Sequence, residues 1–238
     1  MWKYRIKWWF EKFSIKETLR WILSIFFILA IIDFTYILTI WPDWDSYKKG
    51  RVQQSSFIKQ YVSERKQNNW PRLKWTPKPM NKISKHMVRA LIVAEDANFY
   101  WHDGVDLEAF QAAMEHNLEE KRFVYGGSTI SQQAVKNLFF SSSRNPLRKW
   151  HELIFTIAME SKLSKRRILS LYLNVVEFGR GIYGVESAAR HYFGTTAAKL
   201  SVSQAIQLAA SLPAPVNHNP ATRTRFFKER VRKIARYF

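Results

Sequence analysis

The chain has 238 residues, 47% of them apolar and 16% aromatic, enough for one domain-sized core and little besides. It contains no cysteine, which excludes disulfides, thiolate nucleophiles and cysteine-based zinc sites together. A formal charge of +19 asks for a polyanionic partner, whether nucleic acid, anionic lipid or a phosphate-bearing substrate, and charge alone does not choose among them.

In chain order, residues 1–20 form a basic tail, with Lys3, Arg5, Lys7, Lys12, Lys16 and Arg20 against Glu11 and Glu17. The run Trp21–Ile40 follows, 20 residues with Asp33 as its one charge, long enough to cross a hydrocarbon core of roughly 30 Å. It exceeds the usual signal-peptide apolar stretch of about 7–15 residues, and no small-x-small cleavage site follows it. A retained transmembrane helix over 21–40 is therefore expected, with the basic tail cytoplasmic and the body outside. A membrane partner also explains the charge better than nucleic acid, which gives no reason for an anchor.

Residues 41–80 mix charges with Pro42, Pro71, Pro77 and Pro79 and read as a membrane-proximal linker. A core domain is expected over 81–221. There apolar residues recur mostly at helical spacing, with helix starts at Ser84, Asp106, Thr129, Ser164 and Ser201, so the fold class is mainly α. Ser201 and Gln204 fit a capping box, and Pro213 and Pro215 stop the helix they open. Residues 222–238 alternate cations with Phe226, Phe227, Val231, Ile234 and Tyr237 as a basic amphipathic tail, which either touches the membrane or packs on the domain.

Three clusters carry chemistry. Val88, Leu91, Ile92 and Glu95 fall at i, i+3, i+4 and i+7, placing the Glu95 carboxylate on an otherwise apolar face, where desolvation raises a carboxyl pKa toward the range useful for proton transfer. Gly126-Gly127-Ser128-Thr129 resembles a tight turn feeding a helix N-terminus, a place that favours anions; Thr129, Gln132, Gln133 and Lys136 then form a polar stripe suited to a sugar or diphosphate. Arg148 and Glu152 stand at i and i+4 beside Lys149, either as a surface ion pair or as cations placed to neutralise a leaving diphosphate.

Other chemistries fail on context. Three Ser-x-x-Lys matches, at Ser46, Ser56 and Ser63, lie in the charged stretch after the span with no Lys-Thr-Gly anywhere, which argues against an acyl-serine transpeptidase. No His-Glu-x-x-His, Walker loop or Rossmann glycine fingerprint occurs.

Together these clusters resemble the motifs of the peptidoglycan glycosyltransferases, glycosyltransferase family fifty-one, and most closely its monofunctional members. Glu95-Asp96-Ala-Asn-Phe99-Tyr-Trp-His102-Asp-Gly104 is similar to the first motif, Gly126–Gln133 to the second and Arg148–Glu152 to the third. Lys165–Asn174 is similar to the fourth, and Arg180–Gly184 with Ala188–Gly194 to the fifth; Ser131 departs from the usual threonine. The resemblance covers roughly residues 75–220, and the transpeptidase half of bifunctional relatives is not expected.

The resemblance implies a lysozyme-like glycosyltransferase domain whose substrates are lipid II and the growing glycan chain. Glu95 is the implied general base on the sugar 4-hydroxyl, and undecaprenyl diphosphate leaves with inversion to a β-1,4 bond. Lys136, Arg148 and Lys149 become the candidates for diphosphate binding. Glu152 either orients those cations or helps to hold a divalent ion such as Mg2+, the one cofactor under consideration. Ser128, Thr129, Gln132 and Gln133 should position sugars and phosphate, while Asp96, Phe99, His102, Gly104 and Asn174 support the site. The expected setting is the bacterial inner membrane with a periplasmic catalytic domain, near other cell-wall synthases and division proteins. A glycan-cleaving enzyme with paired carboxylates and a non-catalytic scaffold are the competing readings.

Overall fold

A computed structural model describes residues 15–120, 126–141 and 146–238, so most of the basic tail lies outside the described residues. The chain divides between Asp43 and Trp44 into two units. The first contains helix α1, Ile15–Thr39, which is long and apolar enough to cross a membrane. Most of its large side chains are exposed, Phe26 and Phe27 among them, with Ile37 the buried exception, the pattern of a helix with no core of its own. It is already helical at Ile15, the first described residue, and nothing in Ile15–Arg20 breaks a helix.

The second unit is mainly helical, as the periodicity predicts. Its elements in order are α2 (Trp44–Lys48), α3 (Ser56–Glu64), β1 (Lys74–Trp75), α4 (Lys85–Glu95), α5 (Leu107–Glu119), α6 (Ile130–Phe139), α7 (Pro146–Lys162), α8 (Lys165–Val175), β2 (Glu177–Gly179), β3 (Ile182–Tyr183), α9 (Val185–Phe193), α10 (Val202–Ser211) and α11 (Arg225–Ala235). All five expected helix starts are N-caps: the side chains of Ser84, Asp106, Thr129, Ser164 and Ser201 each accept a backbone N–H of the first turn. Ser201 and Gln204 form the expected capping box, and α10 ends at Ser211, just before Pro213.

The core is built around α8, whose residues Ile168–Val175 are all buried. α6 and α7 pack beside it, and α4 packs against α10. The three short strands form one sheet in the order β1-β3-β2, with β1 parallel and β2 antiparallel to β3.

From Trp44 on, the membrane-proximal stretch is folded into the second unit. Trp44, Ile58 and Tyr61 are buried in the body, Trp44 meets Phe139 and Phe155 edge to face, and Tyr61 stacks on Trp70. Isolated aromatics and two short helices carry this packing, so no long apolar period announces it. Asn174 fastens the end of the stretch: its side chain accepts from the Lys78 N–H at 2.7 Å and donates to the Lys78 carbonyl at 2.9 Å. The C-terminal segment is likewise part of the body, because Phe227 and Ile234 of α11 are buried where that helix meets α4 and α10.

Gly104 turns the chain between α4 and α5 with φ +97°, and a Cβ there would come within 2.7 Å of Thr156 Cγ2 and 3.0 Å of Glu160 Cγ. Gly104→Ala should therefore lose at least about 1–3 kcal/mol of stability, read as an earlier unfolding transition in detergent solution.

Candidate active site

Glu95 is the last residue of α4, on the apolar face that packs into the body, and its side chain is 11% exposed. Two other elements reach it and a third acts through one of them. Gln133 of α6 donates through Nε2 to Glu95 Oε2 at 2.9 Å, and Arg230 of α11 contacts Oε1 at 3.0 Å. Tyr172 of α8 donates its hydroxyl to Gln133 Oε1 at 2.7 Å, which fixes the amide so that its NH2 faces the carboxylate. Burial pushes the Glu95 carboxyl above the usual glutamate range, while Gln133, Arg230 and Lys136 pull the other way. The same burial, with Glu95 adding to it, holds the Tyr172 phenol protonated.

A cavity of about 450 Å³ opens on this carboxylate, walled by Ser128, Gln133, Pro213, Phe226 and Arg230. A second, of about 530 Å³, lies along the Gly126–Thr129 turn and α5 and also reaches Glu95.

The third cluster is not a surface pair. Glu152 is buried, with Arg148 Nε 3.0 Å from Oε1 and Lys149 Nζ 3.4 Å from Oε2. Lys149 also reaches Ser128 Oγ at 3.4 Å, joining the glycine-rich turn to α7. Lys136 stands within the influence of both acids: burial lowers its ammonium below the ordinary lysine value, Glu152 and Glu95 favour its charge, and Arg148 and Lys149 oppose it. Three cations around one buried carboxylate leave a net positive locus, which suits an anion.

Thr129 and Gln132 are not free to meet a substrate. The Gln132 side chain folds back to accept the Thr129 N–H, the Thr129 hydroxyl accepts the Gln132 N–H, and both residues are buried. Thr129 also donates to the Gly104 carbonyl at 2.6 Å. Helical spacing puts Gln132 on a polar stripe but does not say which side chain turns back to cap the helix.

The supporting residues form a buried brace. Asp96 accepts the Ile130 N–H at 2.9 Å and holds His102 Nε2 at 3.0 Å, while His102 Nδ1 accepts the Gly104 N–H. The Gly104 bond fixes the proton of a neutral His102 on Nε2, so the ring donates to Asp96. Phe99 is buried beneath Lys165, whose Nζ lies 4.6 Å from its ring centre. Lys165 also pairs with Glu160 at 2.8 Å, and Glu160 accepts the Ser131 hydroxyl.

The described residues fit a divalent ion poorly. Asp96, His102 and Asp106 come close enough to share one, yet their acceptor atoms already serve Ile130, Gly104, Ala109 and Asn98. Both oxygens of Glu152 face cations, which an ion would have to displace.

Arg230 is the contact of Glu95 that sequence reasoning missed. It stands 135 positions from Glu95 in a segment read as a tail, and only its place among the aromatics of an amphipathic helix hinted at inward packing.

A desolvated acid with fixed donors opens on a cavity, and clustered cations stand nearby. Residues 59–238 match the transglycosylase family. Curated relatives named biosynthetic peptidoglycan transglycosylase include one from Nitrosospira multiformis, 39% identical over 90% of this chain and 94% of its own length. Another, from Chromobacterium violaceum, is 46% identical over 72% of this chain and 75% of its own. The chain belongs to the transglycosylase family and is a glycosyltransferase.

Gln133→Leu takes a donor from Glu95 and an acceptor from Tyr172, and should lose about 1–3 kcal/mol. Because Gln133 favours the ionised carboxylate, the deficit should be largest above the Glu95 titration and shrink as pH falls through it, measured by thermal unfolding across pH.

Proposed function

We propose that this enzyme polymerises peptidoglycan strands from lipid II, with Glu95 as general base. The observation that carries the reading is the buried Glu95 carboxylate, oriented by Gln133 and Arg230, at the end of a cavity open to a substrate. In the proposed step the carboxylate takes the proton of the acceptor sugar 4-hydroxyl, and the oxygen attacks the anomeric carbon of the growing chain. The bond from that carbon to the diphosphate breaks, and its electron pair leaves with the undecaprenyl diphosphate. Attack opposite the leaving group inverts the centre and gives a β-1,4 bond. The proton on Glu95 then returns to solvent.

The leaving diphosphate gains charge in the transition state, and Lys136, Arg148 and Lys149 are the cations to meet it. In this reading Glu152 keeps Arg148 and Lys149 in place. No step is routed through a metal ion.

A lipid-linked substrate also needs a membrane. α1 serves as a single-pass anchor in the inner membrane, with the basic tail in the cytoplasm and the catalytic unit in the periplasm. α5 carries a second apolar surface: Leu107 and Leu118 are 73% and 71% exposed, on one stripe with the exposed Phe110 and Met114. A stripe of this kind beside the cavity favours contact with lipid.

Glu95→Gln keeps the shape and removes the base, so turnover of labelled lipid II should fall by at least about 10²-fold while the fold is retained; near-normal strand synthesis would refute the assignment. Activity should rise with pH as Glu95 ionises. Arg230→Met removes a charge that favours ionisation, so the acid limb of its pH–rate profile should lie at higher pH than in the parent, and an unmoved limb would count against the contact. Deleting α1 should lower activity on bilayer-embedded substrate more than on detergent-dispersed substrate.

A further inference from the structure

A second basic concavity lies along the earlier turns of α4, meeting one of the Glu95 cavities only at Val93. Two adjoining hollows, of about 910 and 700 Å³, share Met80 and Arg166 in their walls. Lys85, His86, Arg89 and Arg166 line the first, and Arg51, Lys78 and Arg166 the second; among the described residues neither wall contains an aspartate or glutamate. In a chain with 19 acids this segregation leaves a patch of one sign. Lys78 approaches Glu186 only at 3.9 Å. Arg89 rests on the Phe238 ring at 4.8 Å, a contact that leaves its charge uncompensated. The lip is fixed, because Arg167 donates to the carbonyls of Tyr47, Lys49 and Gly50.

Two further features decide what anion fits. Tyr100 forms part of the first wall and is exposed, and its neighbour Trp101 is 89% exposed. Exposed aromatics beside cations are the composition of a membrane interface. Gly50 and Arg51, in the second wall, also follow closely in sequence on α1, so the groove is fed by the segment that leaves the anchor.

We propose that this groove binds the phosphodiester headgroup of an anionic phospholipid. The site is separate from Lys136, Arg148 and Lys149 and does not depend on the reaction assigned to them. Phosphate is the chemistry recognised; the bilayer is its source, because the aromatic rim serves a lipid and not a soluble ion.

The test uses the full-length protein in neutral detergent and a fluorescent short-chain phosphatidylglycerol, with short-chain phosphatidylcholine and glycerol phosphate as competitors. The parent should prefer phosphatidylglycerol over phosphatidylcholine by about tenfold or more, and lose that preference at high salt. The combined Lys85→Gln, Arg89→Gln and Arg166→Gln variant should lose it at low salt, whereas Arg89→Lys with Arg166→Lys should keep it. Lys136→Ala should also keep it. Equal binding by parent and glutamine variant would overturn the proposal, as would loss of binding in Lys136→Ala, which would put the lipid in the reaction site. Competition by glycerol phosphate as effective as by the lipid would overturn the bilayer as source. Should the glutamine variant fail to fold, the parent's lipid preference and the Lys136→Ala result still decide.

Discussion

A carboxylate in the last turn of a helix has the helix dipole against it, and moving it out of water adds a further penalty. Glu95 bears both costs, and the body is organised around keeping it ionisable. α6 brings an amide, α11 brings a guanidinium, and α8 holds the amide in the correct sense through Tyr172. These three helices come from separate stretches of the chain, and the packing of α6 on α8 and of α11 on α4 brings their side chains together. The buried brace of Asp96, His102 and Gly104 serves the same end, because it ties the residue after Glu95 to the first turn of α6.

The balance at Glu95 is deliberately uneven. Arg230 and Gln133 favour the charged form, yet burial outweighs them, so the carboxyl stays above its usual range. Burial sets the direction of the shift, and the neighbouring amide and guanidinium oppose it. The second acid is treated in the opposite way. Glu152 is buried with Arg148 and Lys149 against its two oxygens, so its charge is met by cations on its own helix.

Much of this architecture is legible in the sequence, for identifiable reasons. Helix starts are local events in which one side chain bonds to a backbone group two or three residues on, and all five expected caps form. The apolar positions before Glu95 reveal its burial because helical periodicity transmits that information. Arg230 is different: nothing within reach along the chain indicates which carboxylate a cation on a distant helix will meet. Gln132 was read as a ligand because a stripe identifies a face and not the rotamer that turns back to the cap. The stretch before Asn81 reads as a linker because its burial depends on separate residues, Trp44, Ile58 and Tyr61, whose partners are supplied by the tertiary fold.

The central claim is that Glu95 is a desolvated carboxyl whose ionisation the surrounding helices control. It is tested most directly by difference infrared spectroscopy of the parent against Glu95→Gln, following one carboxyl band through a pH titration. The account predicts a protonated-carboxyl band, absent from the variant, that persists above the ordinary glutamate range before it disappears. A band lost within that range would contradict the account, since Glu95 would then be no different from a carboxylate in water.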